Sequence, residues 1–246
     1  MRKSLGSRQN SDYKASSPPR AFRWKERCTT VNPSPPRVRM IEAASLIVAP
    51  ALMSVGDLMH PPESWDSAAQ VAIIAAAAGR WYLAHLLLFV GILLFVPGIL
   101  VLSRTLALHR PTLGYASRVL LLASVGALSA VFAFEMVLGG FVMAERQAAV
   151  ALVETFNSRV LVALLPGLLA FFVGTGLFVA PVAAAGGPLR WPAVCLGLGA
   201  LLILGEIISA QVTLSQIGNV LVFLAGIGIV RVLWSQQPAS VAGQAV

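Results

Sequence analysis

Cysteine, histidine and charge are all scarce in this chain. Its 246 residues include two cysteines and three histidines, and only 11% are Asp, Glu, Lys or Arg. A soluble domain carries about 25% charged residues, so an exterior built for water is excluded over most of the length. Cys28 and Cys195 show no CxxC-type spacing, which excludes a cysteine metal cluster or a disulfide framework. Of the three histidines, His109 falls in a predicted loop, so the three-histidine zinc centre of an intramembrane hydrolase cannot be assembled. No phosphate-binding loop, GxSxG elbow or HExxH motif occurs. The longest segment between apolar runs, 61–80, is too short for a soluble catalytic domain. Enzymes that need one of these devices are set aside.

What the chain has is apolar length. It is 57% hydrophobic with a mean hydropathy of +0.81, concentrated in six segments at about 40–59, 82–103, 119–144, 160–184, 191–212 and 216–234. A helix needs about 20 residues to cross a hydrocarbon core of about 30 Å, and each segment is close to that. The expected fold is an all-α integral membrane protein: a bundle of six transmembrane helices over 40–234, a disordered basic tail over 1–39 and a short C-terminal tail over 235–246. The apolar stretch 67–78 is too short to span and is expected to lie across the mouth of the bundle.

The net charge of +8 belongs mainly to the tail, which holds ten of the eighteen Lys and Arg and is rich in Ser and Pro. Such a composition cannot offset its ordering entropy by burial. No apolar run precedes Arg39, so the tail does not read as a secretory signal. No folded nucleic-acid reader accompanies the charge, and the expected partner is the lipid bilayer, with anionic lipid at the tail. With the N-terminus inside, fifteen Lys and Arg fall on the cytoplasmic side and three (Arg80, Arg146, Arg159) outside. The positive-inside rule then places both termini in the cytoplasm of a cell-membrane protein. A start at Met40 would reduce that contrast to five against three.

Ionisable residues within apolar segments are costly and point to function. Counted at 1.5 Å per residue from the cytoplasmic arginines, Asp57, His85, Glu135 and Glu206 fall in one layer near the outer face. His60 follows Asp57 by one turn, with Gln211, Gln216 and Asn219 close to the same level. Glu135 is expected to face the bundle interior and to pair with His85. Pro97-Gly98 and Pro166-Gly167 are expected to interrupt the second and fourth helices, since proline removes a backbone donor and clashes with the preceding turn. Each pair is followed about forty residues later by one of the buried acids, Glu135 or Glu206, which suggests a duplicated helix pair.

Three uses of this layer follow. Small-molecule or proton-coupled transport or binding would use carboxyls buried in an extracytoplasmic pocket. An accessory or structural subunit would use the same groups as hydrogen-bonding glue between helices. An intramembrane metal-dependent hydrolase would bind zinc with Asp, Glu and His. Haem held between His60 and His85 is the remaining cofactor alternative. Composition and spacing assign no cofactor.

Overall fold

The protein was analysed as a computed structural model that describes residues 36–209 and 211–235, helical throughout apart from short connections. Helices α1 (Pro36–Met59), α2 (Ser67–Ala76), α3 (Ala78–Leu94), α4 (Val96–Ala107) and α5 (Pro111–Ala144) are followed by α6 (Arg146–Thr155) and a π-helical turn (Phe156–Val160). Helices α7 (Leu161–Ala185), α8 (Arg190–Ser209) and α9 (Val212–Ser235) complete the described residues. Among the described residues six stretches are long and apolar enough to cross a membrane: Met40–Met59, Ala78–Ala107, Pro111–Ala144, Arg146–Ala185, Arg190–Ser209 and Val212–Ser235.

Helix α1 begins at Pro36, four residues before the expected start, because proline has no N–H to leave unpaired in a first turn. The expected disorder over 1–39 therefore fails at its last four residues, and the rest of that tail lies outside the described residues, as do 236–246.

The spans stand in a ring in chain order. Helix α1 packs on α3 and α4, these on α5, α5 on α7, α7 on α8, α8 on α9, and α9 closes on α1. Leu46, Ile92, Ile99, Phe178, Leu196 and Val222 fill the centre. At one end Arg104 of α4 forms an ion pair with the buried Glu42 of α1, and Arg118 Nε of α5 donates to Ser103 Oγ of α4 at 3.0 Å. The other end carries a cap. Helices α2 and α6 pack on each other and on α5 over a separate core that includes Val71, Ile74, Trp81, Leu138, Val142 and Val153. Asp66 starts α2 by accepting the Ala69 N–H at 2.7 Å. Helix α6, which lies between the third and fourth expected segments, forms because Ala149 and Val153 repeat at helical spacing and are both buried.

The two proline pairs behave differently. The second span is broken at Phe95, between α3 and α4, where Pro97 cannot donate to the Leu93 carbonyl. Helix α7 runs unbroken through Pro166, contrary to expectation, since one missing bond leaves the rest of the ladder intact. The irregular turn of that span is 156–160, where the Phe156 ring stacks on Phe134 with centroids 3.8 Å apart. Gly98 and Gly167 serve close packing: a Cβ would stand 2.8 Å from Leu46 of α1 and 2.6 Å from Ala127 of α5 respectively.

Candidate functional site

The capped end of the ring encloses a cavity of about 260 Å3. Asp57, His60, His85, Glu135 and Glu206 all line it, with Glu63 and Asn219. Six separate elements deliver these groups: α1, the connection after it, α3, α5, α8 and α9.

Asp57, buried near the end of α1, accepts a hydrogen bond from Asn219 Nδ2 of α9 at 2.5 Å through Oδ2. Gln216 Nε2 donates to the Asp57 carbonyl at 3.2 Å. These contacts tie the first helix to the last. Asp57 is thereby engaged in structure as well as lining the cavity.

A three-ring cluster forms the opposite wall. Trp81, one turn before His85 on α3, has its ring centroid 4.4 Å from His85 and 4.8 Å from His60. Its indole N–H donates to the Glu135 carbonyl at 2.9 Å, and Gly139 one turn along α5 leaves room for the ring. His85 Nδ1 donates to the Trp81 carbonyl at 2.8 Å, and His60 Nδ1 donates to the Pro61 carbonyl at 2.7 Å. The two Nε2 atoms face each other at 3.2 Å.

The expected pairing of Glu135 with His85 does not form, because His60 occupies His85 and the Glu135 carbonyl, rather than its carboxyl, meets Trp81. Glu135 Oε2 is buried without a hydrogen-bond partner, and so is Asn219 Oδ1. Glu206 lines the wall near the α8–α9 corner.

Glu63 is a cavity residue that spacing along the apolar segments does not reveal, since it sits in the connection after α1. Its only signal is its place three residues after His60. Glu63 Oε1 lies 3.5 Å from His60 Nε2, with 36% of its side chain exposed. Burial of the rest pushes its carboxyl above the usual range, and the open third moderates that shift. Burial pushes His60 below the usual imidazole range, and Arg80 adds to this; the Pro61 carbonyl and Asp57 work in the opposite sense.

Among the described residues no group of three or more His, Cys, Asp or Glu side chains is placed to hold a metal ion. The haem alternative fails on distance: two in-line metal–nitrogen bonds span about 4 Å, and a flat macrocycle must fit between rings whose nitrogens stand 3.2 Å apart. His109 sits at the far end of the ring, between α4 and α5. No protein-family model, curated protein or solved structure matches this chain.

Proposed function

We propose that the chain is a multi-pass membrane protein that binds a small molecule in this cavity and acts as a carrier or receptor for it, with Glu135 as the group that holds the ligand or exchanges a proton with it. The reading in a bilayer is supported by the outward face of the spans, where Val137, Met143, Leu201 and Ile208 are 63–74% exposed. Such a surface is unsuited to water and suited to lipid. The positive-inside rule puts the end bearing Arg104, Arg110, Arg118, Arg190 and Arg231 in the cytoplasm and the cavity at the outer face.

The observation that carries the reading is the Glu135 carboxyl, which lines a cavity with one oxygen unpartnered. A buried polar atom without a partner costs about 1–3 kcal/mol, and a ligand that donates to it recovers that loss. Asp57 and Ser117 are tied across helices, Asp57 by the Asn219 amide and Ser117 to the Gly174 carbonyl, and Asn219 leaves only its Oδ1 unpaired. Glu135 Oε2 has no such tie, which separates it from the accessory-subunit reading.

Purified protein screened by thermal shift against small amines, organic cations and polyols tests this, since a bound ligand raises the melting temperature by mass action. A compound class that stabilises the wild type and not Glu135→Gln supports the proposal. No shift with any class, together with no proton uptake in reconstituted vesicles, sinks it.

A further inference from the structure

We propose that the ligand of the cavity is a protonated organic amine with a compact apolar body, whose N–H groups donate to the Glu135 carboxyl. This rests on the carrier reading of the same cavity and names the chemical class it takes. Four carboxyl side chains line the cavity, Asp57, Glu63, Glu135 and Glu206, and no Lys or Arg stands among the lining residues. A buried carboxylate without an opposite charge is costly, and burial holds His60 in its neutral form. A cation in the cavity supplies the charge that the wall lacks. An anion would meet four acids there.

The hydrogen bonds of the wall call for a donor in particular. The Trp81 indole N–H is spent on the Glu135 carbonyl, and the Nδ1 hydrogens of His60 and His85 on the Pro61 and Trp81 carbonyls. The Ser215 hydroxyl donates to the Val212 carbonyl, and the Asn219 amide N–H to Asp57 Oδ2. Two buried atoms of the lining are left without a partner, Glu135 Oε2 and Asn219 Oδ1. An amide oxygen only accepts, as does an ionised carboxylate. Turning the Asn219 amide over would set its oxygen against the Asp57 carboxyl. Asn219 is 3% exposed, so bulk water does not meet its oxygen. What the protein leaves open is a pair of acceptors.

The rest of the wall suits an apolar body. Trp65, Trp81, Phe132, Phe171 and Phe172 line it, from the connection after α1 and from α3, α5 and α7. Aromatic rings attract a cation through their quadrupole while burying the carbon atoms attached to it. The volume of about 260 Å3 lies just under the roughly 300–1,000 Å3 of ordinary ligand pockets, which limits the ligand to a small one. A quaternary ammonium ion would satisfy the rings and the acids but has no N–H for the open acceptors. That difference separates an amine from cations in general.

The test uses the full chain, purified in detergent at neutral pH, where alkylamines are protonated. Phenethylamine and cyclohexylmethylamine are titrated by calorimetry, each beside the alcohol, the carboxylate and the trimethylammonium compound of the same skeleton. Each amine is expected to bind at least about tenfold more tightly than its counterparts, and about tenfold more weakly or worse to Glu135→Gln. The comparison among ligands needs no variant to fold. Equal or tighter binding of an alcohol, a carboxylate or a trimethylammonium compound overturns the proposal. So does undiminished amine binding by a folded Glu135→Gln, or no binding of either amine. A compound of another class that binds wild type and not Glu135→Gln leaves the carrier reading standing while the amine falls, so the two proposals fail separately.

Discussion

Gly199 of α8 and Gly218 of α9 lie face to face, so close that a Cβ on either would stand 2.7 or 2.8 Å from the carbonyl oxygen of the other. This reciprocal approach sets the α8–α9 contact, the corner from which Glu206 and Asn219 reach the cavity. Overpacking at such a contact costs about 1–3 kcal/mol, more than the roughly 1 kcal/mol that alanine gains over glycine in a helix. Gly218→Ala is expected to lower the melting temperature in detergent. Gly126→Ala, where a Cβ meets nothing within 4 Å, is expected to leave it unchanged or raise it. Equal melting of Gly218→Ala and wild type would refute the close approach.

The two interior acids Asp57 and Glu135 should respond in opposite ways. Asn219→Leu removes the donor to the buried Asp57 Oδ2, at a cost of about 1–3 kcal/mol. Glu135→Leu removes an acid whose Oε2 has no partner to lose, so stability is expected to hold or rise. Thermal unfolding of both variants decides it, and a large loss in Glu135→Leu would mean that Glu135 is glue.

His60 should make stability depend on pH. Its folded-state pKa lies below its ordinary 6.5, so the unfolded chain takes up the proton first. The stability due to its neutral form is present above pH 6.5 and is lost as pH falls through 6.5 toward the folded value. Glu63, shifted above its ordinary 4.5, opposes this, since its contribution declines as pH rises through that value toward the folded one. Its partial exposure keeps that effect small. Melting temperatures between pH 7.5 and 5.5, taken in chelator, are expected to fall in wild type and to fall less in His60→Gln. Asp57, His85 and Arg80 are kept in both proteins. Parallel curves would assign the dependence to another group.

Orientation is open to a direct measurement. In a chain with Cys28 and Cys195 replaced by Ser, cysteines at Arg110 and Pro188 are expected to react with an impermeant reagent only from the cytoplasmic side. A cysteine at Arg146, in the exposed start of α6, is expected to react only from outside. The reverse pattern would put the cavity at the inner face.

Hydropathy and helical rise were enough to count the long apolar helices and to group Asp57, His85, Glu135 and Glu206, which line one cavity, because both depend on distance along a single helix. Partners across helices were not legible. Glu135 and His85 line the same cavity, yet rotation about α3 turns His85 toward His60, and no count along the chain reports rotation. Helix α6 was hidden for a related reason: its apolar face is two residues wide and adjoins Arg146 and Glu154, so windowed hydropathy leaves it outside the apolar segments. Pro166 looks like Pro97 in sequence, yet it lies inside an unbroken helix while Pro97 follows an interruption.

The seam between α1 and α9 has a consequence for how the protein is made. At Gly226 a Cβ would collide with the carbonyl of Leu46, so the first helix and the last fit backbone to backbone. During synthesis α1 emerges before α9, and Asp57 has neither Asn219 nor Gln216 until α9 has been made. The nascent chain therefore passes through an open arc with one acid uncapped on its free flank. A chain that stops before α9 is expected to be degraded faster than the full chain in a pulse-chase measurement.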